Sequence, residues 1–295
     1  MDDERFDTLY RVVSRFAPRR GKRVIYSDAL ILLLLLWSAQ RRIPRCRACE
    51  EANAPRALRG VRLPSAAQLS RRLRGAAFAA FYQRFLEHVM SLQERDEEAA
   101  LSCYLVDAKA LPVSPFTKDK EARRGWATAA LAKGYKLFLL ADSDGRVVAR
   151  RVDAMNQAEQ SVALELFKHT ERPGYTIGDS VYDTKDCHDA AAARGHQLIA
   201  PRKKPGGNVS VKAATPERLH AIAMLETPCG SAFGWRMYDR RTAIERVFSV
   251  MSSHTVGMDS LPPWVRTLRR VRMWADAMIV FYVLFRRSAE SKDLR

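Results

Sequence analysis

Residues 101–107, Leu-Ser-Cys-Tyr-Leu-Val-Asp, decide the fold, because here an apolar run ends in a single carboxylate. A short apolar run that contains branched and aromatic residues is typical of a buried strand. The same arrangement returns at residues 175–179, Tyr-Thr-Ile-Gly-Asp. We therefore expect two buried strands, one ending at Asp107 and the other at Asp179.

The segments around these two runs predict the rest of a sheet. The predicted elements are, in chain order, strands over 101–106, 134–141 and 146–152, a helix over 158–170, a strand over 175–178, a helix over 184–194 and a strand over 197–200. This alternation of strands and helices predicts an α/β fold, a mixed five-stranded sheet flanked by helices.

The N-terminal part of the chain predicts helices instead of strands. Apolar residues recur at helical spacing over 6–16, 28–37, 65–74 and 78–89. The charged stretch Gln93-Glu-Arg-Asp-Glu-Glu98 then interrupts the pattern. We therefore expect an all-helical domain over residues 1–95, followed by the sheet domain over residues 100–288.

The charge of the chain predicts a polyanionic partner. The 50 Lys and Arg residues exceed the 33 Asp and Glu residues, and the formal net charge is +17. A basic surface gains affinity for nucleic acid because neutralised phosphates release their condensed counterions. The alternative is a basic surface that is merely well solvated.

Three observations favour a cytoplasmic protein outside the membrane. Five Cys residues in 295 do not make a disulfide framework, and the chain starts Met-Asp-Asp-Glu without a basic, then apolar, leader. The apolar runs at 29–37 and 277–285 are shorter than the roughly 20 residues that span a bilayer. We therefore expect buried helices there, and localisation to the cytoplasm with the nucleoid.

A third carboxylate, Glu245, lies in a helical pattern. At 100° per residue, Tyr238, Arg241 and Glu245 share one stripe beside an apolar stripe. Three carboxylates brought together repel one another unless cations compensate their charge. Together with Asp107 and Asp179, Glu245 thus predicts a site for paired divalent cations, which cut and join phosphodiesters. The alternative is an amphipathic core helix with an Arg241–Glu245 ion pair.

Five sequence pieces carry a family resemblance. They are Tyr104-Leu-Val-Asp107, Lys133-Gly-Tyr-Lys-Leu137, Gly178-Asp-Ser-Val-Tyr-Asp183, Ala200-Pro-Arg-Lys-Lys204 and Arg241-Thr-Ala-Ile-Glu-Arg-Val-Phe248. In this order they resemble the catalytic domain of DDE-type transposases of bacterial insertion sequences, over residues 103–252.

One subgroup of these transposases has a Tyr-x2-Arg-x3-Glu-x6-Lys signature on its last catalytic helix. Tyr238, Arg241 and Glu245 match the signature, whereas Ser252 stands at the Lys position. The departure removes a cationic contact to the end of the element and leaves the three carboxylates in place.

The resemblance implies both a fold and an activity. The fold is ribonuclease H-like, and the cofactors are two Mg²⁺ ions, with Mn²⁺ able to substitute. By this resemblance, Asp107 would bridge both ions, and Asp179 and Glu245 would each hold one. The implied reaction is metal-dependent cleavage at element ends and strand transfer into target DNA, which is cut-and-paste transposition.

The resemblance also implies partners. They are double-stranded DNA, as terminal inverted repeats and as target, and a second copy of the chain on paired ends. By the same resemblance, Arg241 would pair with a phosphate near the cut, and Tyr238 would stack on or bond to the terminal nucleotide.

Further DNA contacts are expected from basic clusters. On the helix over 65–74, Gln68, Arg71 and Arg72 share the face opposite the apolar residues, and such side chains read base edges in the major groove. The N-terminal domain is therefore assigned to DNA binding. The remaining candidates are the four Arg residues of 41–47 as phosphate contacts and Arg202, Lys203 and Lys204 as strand clamps. The alternative for each cluster is a solvated basic face.

Two residues are predicted to have structural roles. Trp126, after Arg123 and Arg124, is expected to be buried in preference to stacking on a base. Asp183 is expected to cap the helix that follows it.

Two other functions are compatible with the sequence. One is a domesticated, sequence-specific DNA-binding protein derived from a transposase, whose binding is indifferent to metal. The other is a ribonuclease H-like nuclease that cuts without strand transfer. The intact set of carboxylates disfavours a pure binder.

Overall fold

The structure is a computed structural model that describes residues 3–17, 25–93, 102–127, 130–253, 256–258 and 260–290. These residues divide into two compact units. The helical unit holds the described residues of Met1–Gln93, Val250–Val265 and Met273–Arg295. The sheet unit holds those of Glu94–Ser249 and Arg266–Arg272. The predicted boundary at Gln93–Glu98 lies, beyond Gln93, outside the described residues.

Four helices begin the helical unit, as the sequence predicts. They are α1 (Asp3–Phe16), α2 (Asp28–Gln40), α3 (Ala66–Arg74) and α4 (Ala76–Ser91). The Ser27 side chain accepts a hydrogen bond from the Leu30 backbone N–H at 3.2 Å and so caps α2. Every residue from Ile31 to Ala39 is buried, which makes α2 the central helix of this unit.

A six-stranded mixed sheet forms the other unit. The strands are β1 (Ser102–Pro112), β2 (Arg123–Trp126), β3 (Leu131–Asp142), β4 (Val147–Ala154), β5 (Gly174–Ile177) and β6 (His196–Ile199). Their order is β2-β3-β1-β5-β6, and β4 also pairs with β3. The pairs that involve β3 are antiparallel, whereas β1–β5 and β5–β6 are parallel. This is a ribonuclease H-like topology, so the predicted fold class is confirmed.

The sheet has one strand more than the predicted five. The additional strand is β2, whose sequence Arg-Arg-Gly-Trp has no apolar alternation and therefore gives no strand signal. Hydrogen bonding to the N-terminal part of β3 defines it, in a register that pairs Arg123 with Gly134 and Trp126 with Leu131.

Strand β1 is also longer than the apolar run that predicts it. Asp107 was expected at the end of the strand but lies in its middle, because β3 continues the pairing as far as Pro112 opposite Gly134. Leu101, the predicted first residue, lies outside the described residues.

Helices cover the sheet and continue beyond it. They are α5 (Glu159–Leu166), α6 (Lys185–Ala192), α7 (Pro216–Glu226), α8 (Pro228–Tyr238) and α9 (Thr242–Ser252). One hydrophobic core lies between the sheet and its helices. Its members include Val106, Phe138 and Leu140 from the strands, Leu166 from α5 and Ala191 from α6.

The last helix is α10 (Leu268–Glu290). From Met273 onward it belongs to the helical unit. The physical reason is its apolar surface: Trp274 and Phe281 are buried, and the Tyr82 hydroxyl donates to the Met273 carbonyl at 3.2 Å. In the part of the chain that the structure describes, no helix has the length and hydropathy needed to cross a membrane.

Candidate active site

Two of the predicted carboxylates lie side by side at one edge of the sheet unit. The parallel register of β1 and β5 pairs Leu105 with Ile177, and two residues further along each chain come Asp107 and Asp179. Neighbouring strands are about 4.8 Å apart, so this register brings the two side chains together. Gly178 lies just before Asp179, and a Cβ there would lie 2.6 Å from the Tyr182 ring.

The cations near Asp107 and Asp179 do not neutralise the negative charge of this pair, and both pKa values are raised. Burial, helped by the charges of Asp179 and Glu159, raises the pKa of Asp107 to about 6, against a 2.8 Å hydrogen bond from the Ala108 N–H and the charge of Arg241. Burial also raises the pKa of Asp179, although the Val181 N–H donates to it at 2.8 Å. Both carboxylates are therefore harder to ionise than in water.

The third predicted carboxylate, Glu245, is held by an arginine. It lies on α9, which follows the short 3₁₀ turn Asp239–Arg241 that joins it to α8. Arg241 Nη2 lies 2.5 Å from Glu245 Oε1, and Arg241 Nη1 lies 3.9 Å from Asp107 Oδ2. The ion pair weighed as the alternative is thus present, and the same guanidinium lies between Glu245 and Asp107.

The carboxylates fit a divalent cation in part. Carboxylate oxygens are ligands that Mg²⁺ prefers, and the buried, mutually repelling pair Asp107 and Asp179 is the environment that such a cation stabilises. Glu245 does not complete the set in this conformation, because it is turned to Arg241. Among the described residues, no three His, Cys, Asp or Glu side chains are grouped closely enough to hold a metal ion.

A fourth carboxylate, Glu159, belongs to this neighbourhood and is not predicted from the sequence. It is the first residue of α5. Its Oε1 lies 2.6 Å from Lys136 Nζ, and its Oε2 accepts from the Tyr182 hydroxyl at 3.3 Å. Its charge raises the pKa of both Asp107 and Asp179. No sequence signal singles it out, because acidic residues are common in the first turn of any helix.

Asp183, four residues after Asp179, has a structural environment. It was expected to cap α6, but the cap is Thr184, whose hydroxyl accepts from the Cys187 N–H at 3.3 Å. Asp183 instead accepts two hydrogen bonds from Arg218, at 2.7 and 2.8 Å, and lies 3.2 Å from His188 Nε2. Against burial, which raises it, these contacts hold the pKa of Asp183 down to about 2.

The predicted strand clamps separate into two kinds of residue. Arg202 forms a two-pronged ion pair with Glu226, with Nε 2.6 Å from Oε1, and its side chain is mostly buried. Lys203 and Lys204 are exposed. Lys203 lies close enough to the site for its charge to lower the pKa of Asp179. Lys203 and Lys204 therefore have accessible charges, whereas Arg202 supports the loop.

The predicted recognition helix, α3, is also partly engaged within its own unit. Gln68 Oε1 accepts from the Ser65 N–H at 2.8 Å, and Ser65 Oγ accepts from the Gln68 N–H at 3.3 Å, which completes a capping box. Arg72 pairs with Asp28 at 2.5 Å, and Arg71 is exposed.

Three of the four arginines at 41–47 make contacts inside the helical unit. The Arg41 guanidinium lies over the Trp37 ring, 5.5 Å from its centre. Arg42 donates to the Ser260 carbonyl and hydroxyl, each at 2.8 Å, and Arg45 lies 3.9 Å from the sulfur of Met273.

The two aromatic residues discussed from the sequence differ in exposure. Tyr238 is half-buried, with Arg241 over its ring at 5.8 Å and Trp235 edge-on at 5.5 Å. Trp126 was expected to be buried, and this was wrong: it is 67% exposed. It lies on β2, an edge strand whose one neighbour among the described strands is β3.

Comparison with known families identifies the class of the chain. The family model for the transposase DDE domain matches residues 98–284, more than half of the sequence. The chain therefore belongs to the DDE transposase domain family, whose members are DNA-cleaving enzymes that generally use divalent metal ions. The resemblance to DDE-type transposases is thereby confirmed.

Two further comparisons add little. No curated protein matches the chain. Among solved structures, it is similar to a piggyBac transposase seen by cryo-EM in a synaptic complex with hairpin DNA, with 9% sequence identity and a TM-score of 0.32. That match covers 98% of this chain and 82% of the other. At this identity and TM-score, the similarity supports no conclusion about this chain.

Proposed function

We propose that this chain is the transposase of a bacterial insertion sequence, which cleaves DNA at the element ends and transfers the strands into target DNA. Family membership supports the transposase class. The observation that carries the reaction is the register that places Asp107 beside Asp179 with too little positive charge around them. A buried pair of this kind is suited to binding cations.

Asp107, Asp179 and Glu245 are the proposed ligands of two Mg²⁺ ions, and Mn²⁺ is expected to substitute. Bound metal pairs of this type activate a nucleophile and stabilise the attacking and leaving oxygens of a phosphodiester. The proposal requires Glu245 to leave Arg241 and turn towards Asp107. Such a movement frees the Arg241 guanidinium for a DNA phosphate, to which it binds with two parallel hydrogen bonds.

The remaining residues are proposed to bind and orient DNA. The half-buried Tyr238 ring lies beside Arg241 and is suited to contact the terminal nucleotide. Lys203 and Lys204 are exposed and suited to hold a strand near the carboxylates. Arg71 is the exposed member of the proposed recognition set on α3, while Gln68 and Arg72 keep that role only if they exchange their present contacts.

The proposal includes the assembly and the organisation of the chain. The DNA partners are terminal inverted repeats and target DNA, bound by a homodimer on paired ends in the cytoplasm. The helical region over residues 1–95 is proposed to recognise the ends, and the region over 100–288 to perform the chemistry. The net charge of +17 supports a nucleic-acid partner.

The test is cleavage and joining of DNA. Labelled duplexes that tile the DNA on both sides of the gene are incubated with the full chain and Mg²⁺ or Mn²⁺. We expect cleavage at two inverted repeats and joining of the cut ends to a plasmid. Asp107→Ala, Asp179→Ala and Glu245→Ala are expected to abolish both, while the control Asp186→Ala, an exposed carboxylate on α6, retains them.

The other two functions give different results in this assay. Cleavage without joining means a nuclease, and metal-independent binding without cleavage means a DNA-binding protein. If one of the three alanine variants cleaves at the wild-type rate, that residue is not a metal ligand.

A further inference from the structure

A basic cleft lies in the sheet unit beside the edge strand β2. Its volume is about 520 Å³, within the range of small-molecule and nucleotide sites. It is lined by Pro115, Asp119, Lys120, Ala122, Arg123, Arg124 and Lys133. Four of these side chains are cationic and one is anionic, so the cleft favours an anionic ligand.

The single carboxylate of the cleft is already engaged. Asp119 accepts from the Tyr135 hydroxyl at 2.8 Å, from the Thr267 N–H at 2.8 Å and from the Glu121 N–H at 3.1 Å. These hydrogen bonds lower the pKa of Asp119 despite its burial, and they leave it little capacity to pair with a neighbouring cation.

The cations, in contrast, are available. Lys120, Arg123 and Arg124 are exposed, and no carboxylate in the described part of the chain forms an ion pair with them. Lys133 donates to the Thr117 carbonyl at 3.0 Å and retains further N–H donors. The cleft thus has a concentrated positive charge without internal compensation.

Two exposed aromatic residues are close in sequence to residues that line the cleft. Phe116, which follows Pro115, is 92% exposed, and Trp126 is 67% exposed. Gly125 faces the interior, where a Cβ would lie 2.3 Å from the Met155 carbonyl oxygen. Because side chains alternate along a strand, Arg124 and Trp126 project together on the opposite side.

We propose that this cleft binds single-stranded DNA, with phosphates held by the cations and unpaired bases stacked on Trp126 and Phe116. Cationic grooves that carry exposed aromatic rings are the usual sites for unpaired nucleotides, since each base has a face on which a ring can stack. A duplex keeps its bases stacked inside and has no use for the rings. The charge of the cleft opposes a basic partner.

The position of the cleft is compatible with the proposed cleavage function without depending on it. Along β1, Pro112 pairs with Gly134, next to Lys133, and lies five residues beyond Asp107. At about 3.3 Å per residue this is roughly 17 Å along the strand. A strand held in the cleft can thus extend a few nucleotides from the carboxylates.

The test compares single-stranded and duplex DNA by fluorescence anisotropy, with the full chain in EDTA and at several salt concentrations. The probe is a labelled oligothymidine of about 20 nucleotides, longer than the ~4–16 that one such groove covers. Trp126→Ala is expected to weaken single-strand binding about 10-fold, and Trp126→Phe to restore most of it. Arg123→Ala with Arg124→Ala is expected to lower the salt slope by about 1.4, at about 0.7 per phosphate.

The matched control is Lys212→Ala with Arg236→Ala, which removes the same charge from exposed positions away from β2. We expect its single-strand affinity to stay within about 2-fold of the wild type, the scale of a nonspecific charge effect. Unchanged single-strand affinity in both the Trp126→Ala and the double arginine variants overturns the proposal. So does an equal loss of duplex and single-strand affinity. Neither result touches the function proposed above, because metal-dependent cleavage is measured separately on the same variants.

Discussion

Asp179 and Asp183 lie four residues apart on the same connection, and the fold shifts their pKa values in opposite directions. Asp179 is next to Asp107, and burial raises its pKa. Asp183 is bonded to Arg218 and His188, and its pKa falls to about 2. Among the described residues, Asp179 forms no ion pair, whereas Asp183 has two partners, Arg218 and His188.

The difference distinguishes Asp179, for which we propose a catalytic role, from Asp183, whose contacts are structural. A buried charge destabilises the fold unless it is paired, and the cost persists only where something else requires the charge. Two neighbouring cations, Arg202 and Lys203, differ in the same way: one has a partner and the other is exposed. Arg202 is tied to Glu226, and Lys203 is left exposed beside Asp179.

The largest expected effect is a loss of DNA cleavage when Asp179 is substituted. Asp179→Asn keeps the shape of the side chain and removes its charge. We expect DNA cleavage to fall by about 10³-fold, the loss typical of one preorganised electrostatic contact in a transition state. Single-turnover cleavage with saturating enzyme measures it. If Asp179→Asn cleaves DNA at the wild-type rate, Asp179 has no role in cleavage.

Substitution of Asp183, which pairs with Arg218, is expected to lower stability and to leave DNA cleavage intact. Asp183→Asn leaves the Arg218 guanidinium without its counter-charge, and breaking a buried pair costs about 3 kcal/mol of unfolding free energy. Urea unfolding followed by circular dichroism measures this. The folded fraction should still cleave DNA, so a stable but inactive Asp183→Asn would place Asp183 in the catalytic site.

The two kinds of carboxylate also predict opposite dependences of stability on pH. Because folding raises the pKa of Asp107 from 3.8 to about 6, its ionisation opposes folding. Its contribution to the unfolding free energy is therefore full below pH ~4 and is lost as the pH rises through ~6, by about 3 kcal/mol. For Asp183, whose folded pKa is about 2, the contribution is present above pH ~4 and lost as the pH falls towards 2.

Unfolding in EDTA at a series of pH values checks this prediction. Asp107→Asn is expected to flatten the curve between pH 4 and ~6 and to stabilise the protein at pH ~7. Added Mg²⁺ should stabilise the wild type at pH ~7 and not this variant, because a ligand stabilises only the state that binds it. Equal stabilisation of both by Mg²⁺ would contradict the assignment of Asp107 as a ligand.

The smallest expected effect distinguishes the two basic neighbours. Lys203→Ala is expected to lower the salt slope of duplex binding by about 0.9, the value for one phosphate contact. Arg202→Ala should leave that slope unchanged and instead lower stability, because Glu226 loses its partner. The slopes come from anisotropy titrations, and equal slopes for the two variants would show that Lys203 touches no phosphate.

Much of the fold was predictable because local patterns report local structure. The strands at the apolar runs before Asp107 and Asp179, and the order of strands and helices, follow from the sequence. Strand β2 was not predictable, since Arg-Arg-Gly-Trp becomes a strand only by pairing with β3. The exposure of Trp126 follows from the same pairing.

The sequence predicted the residues of the candidate site better than it predicted their contacts. The sequence singles out Asp107, Asp179 and Glu245, and their roles as metal ligands stay predictions. The position of Glu159, which raises the pKa of two of these carboxylates, is invisible in the sequence. The sequence offered both a catalytic carboxylate and an ion pair for Glu245, and the observed contact is the pair with Arg241.

The sequence alone determined the α/β class, the family and the residues around which the chemistry is proposed. Periodicity and short motifs encode these features within a few residues of chain. Tertiary structure alone decided which charges have partners: Asp183 with Arg218, Arg202 with Glu226, and Asp107 with another carboxylate. The physical reason is that such pairs join residues 20 or more positions apart, and their meeting depends on strand register and helix packing. No local pattern contains that information.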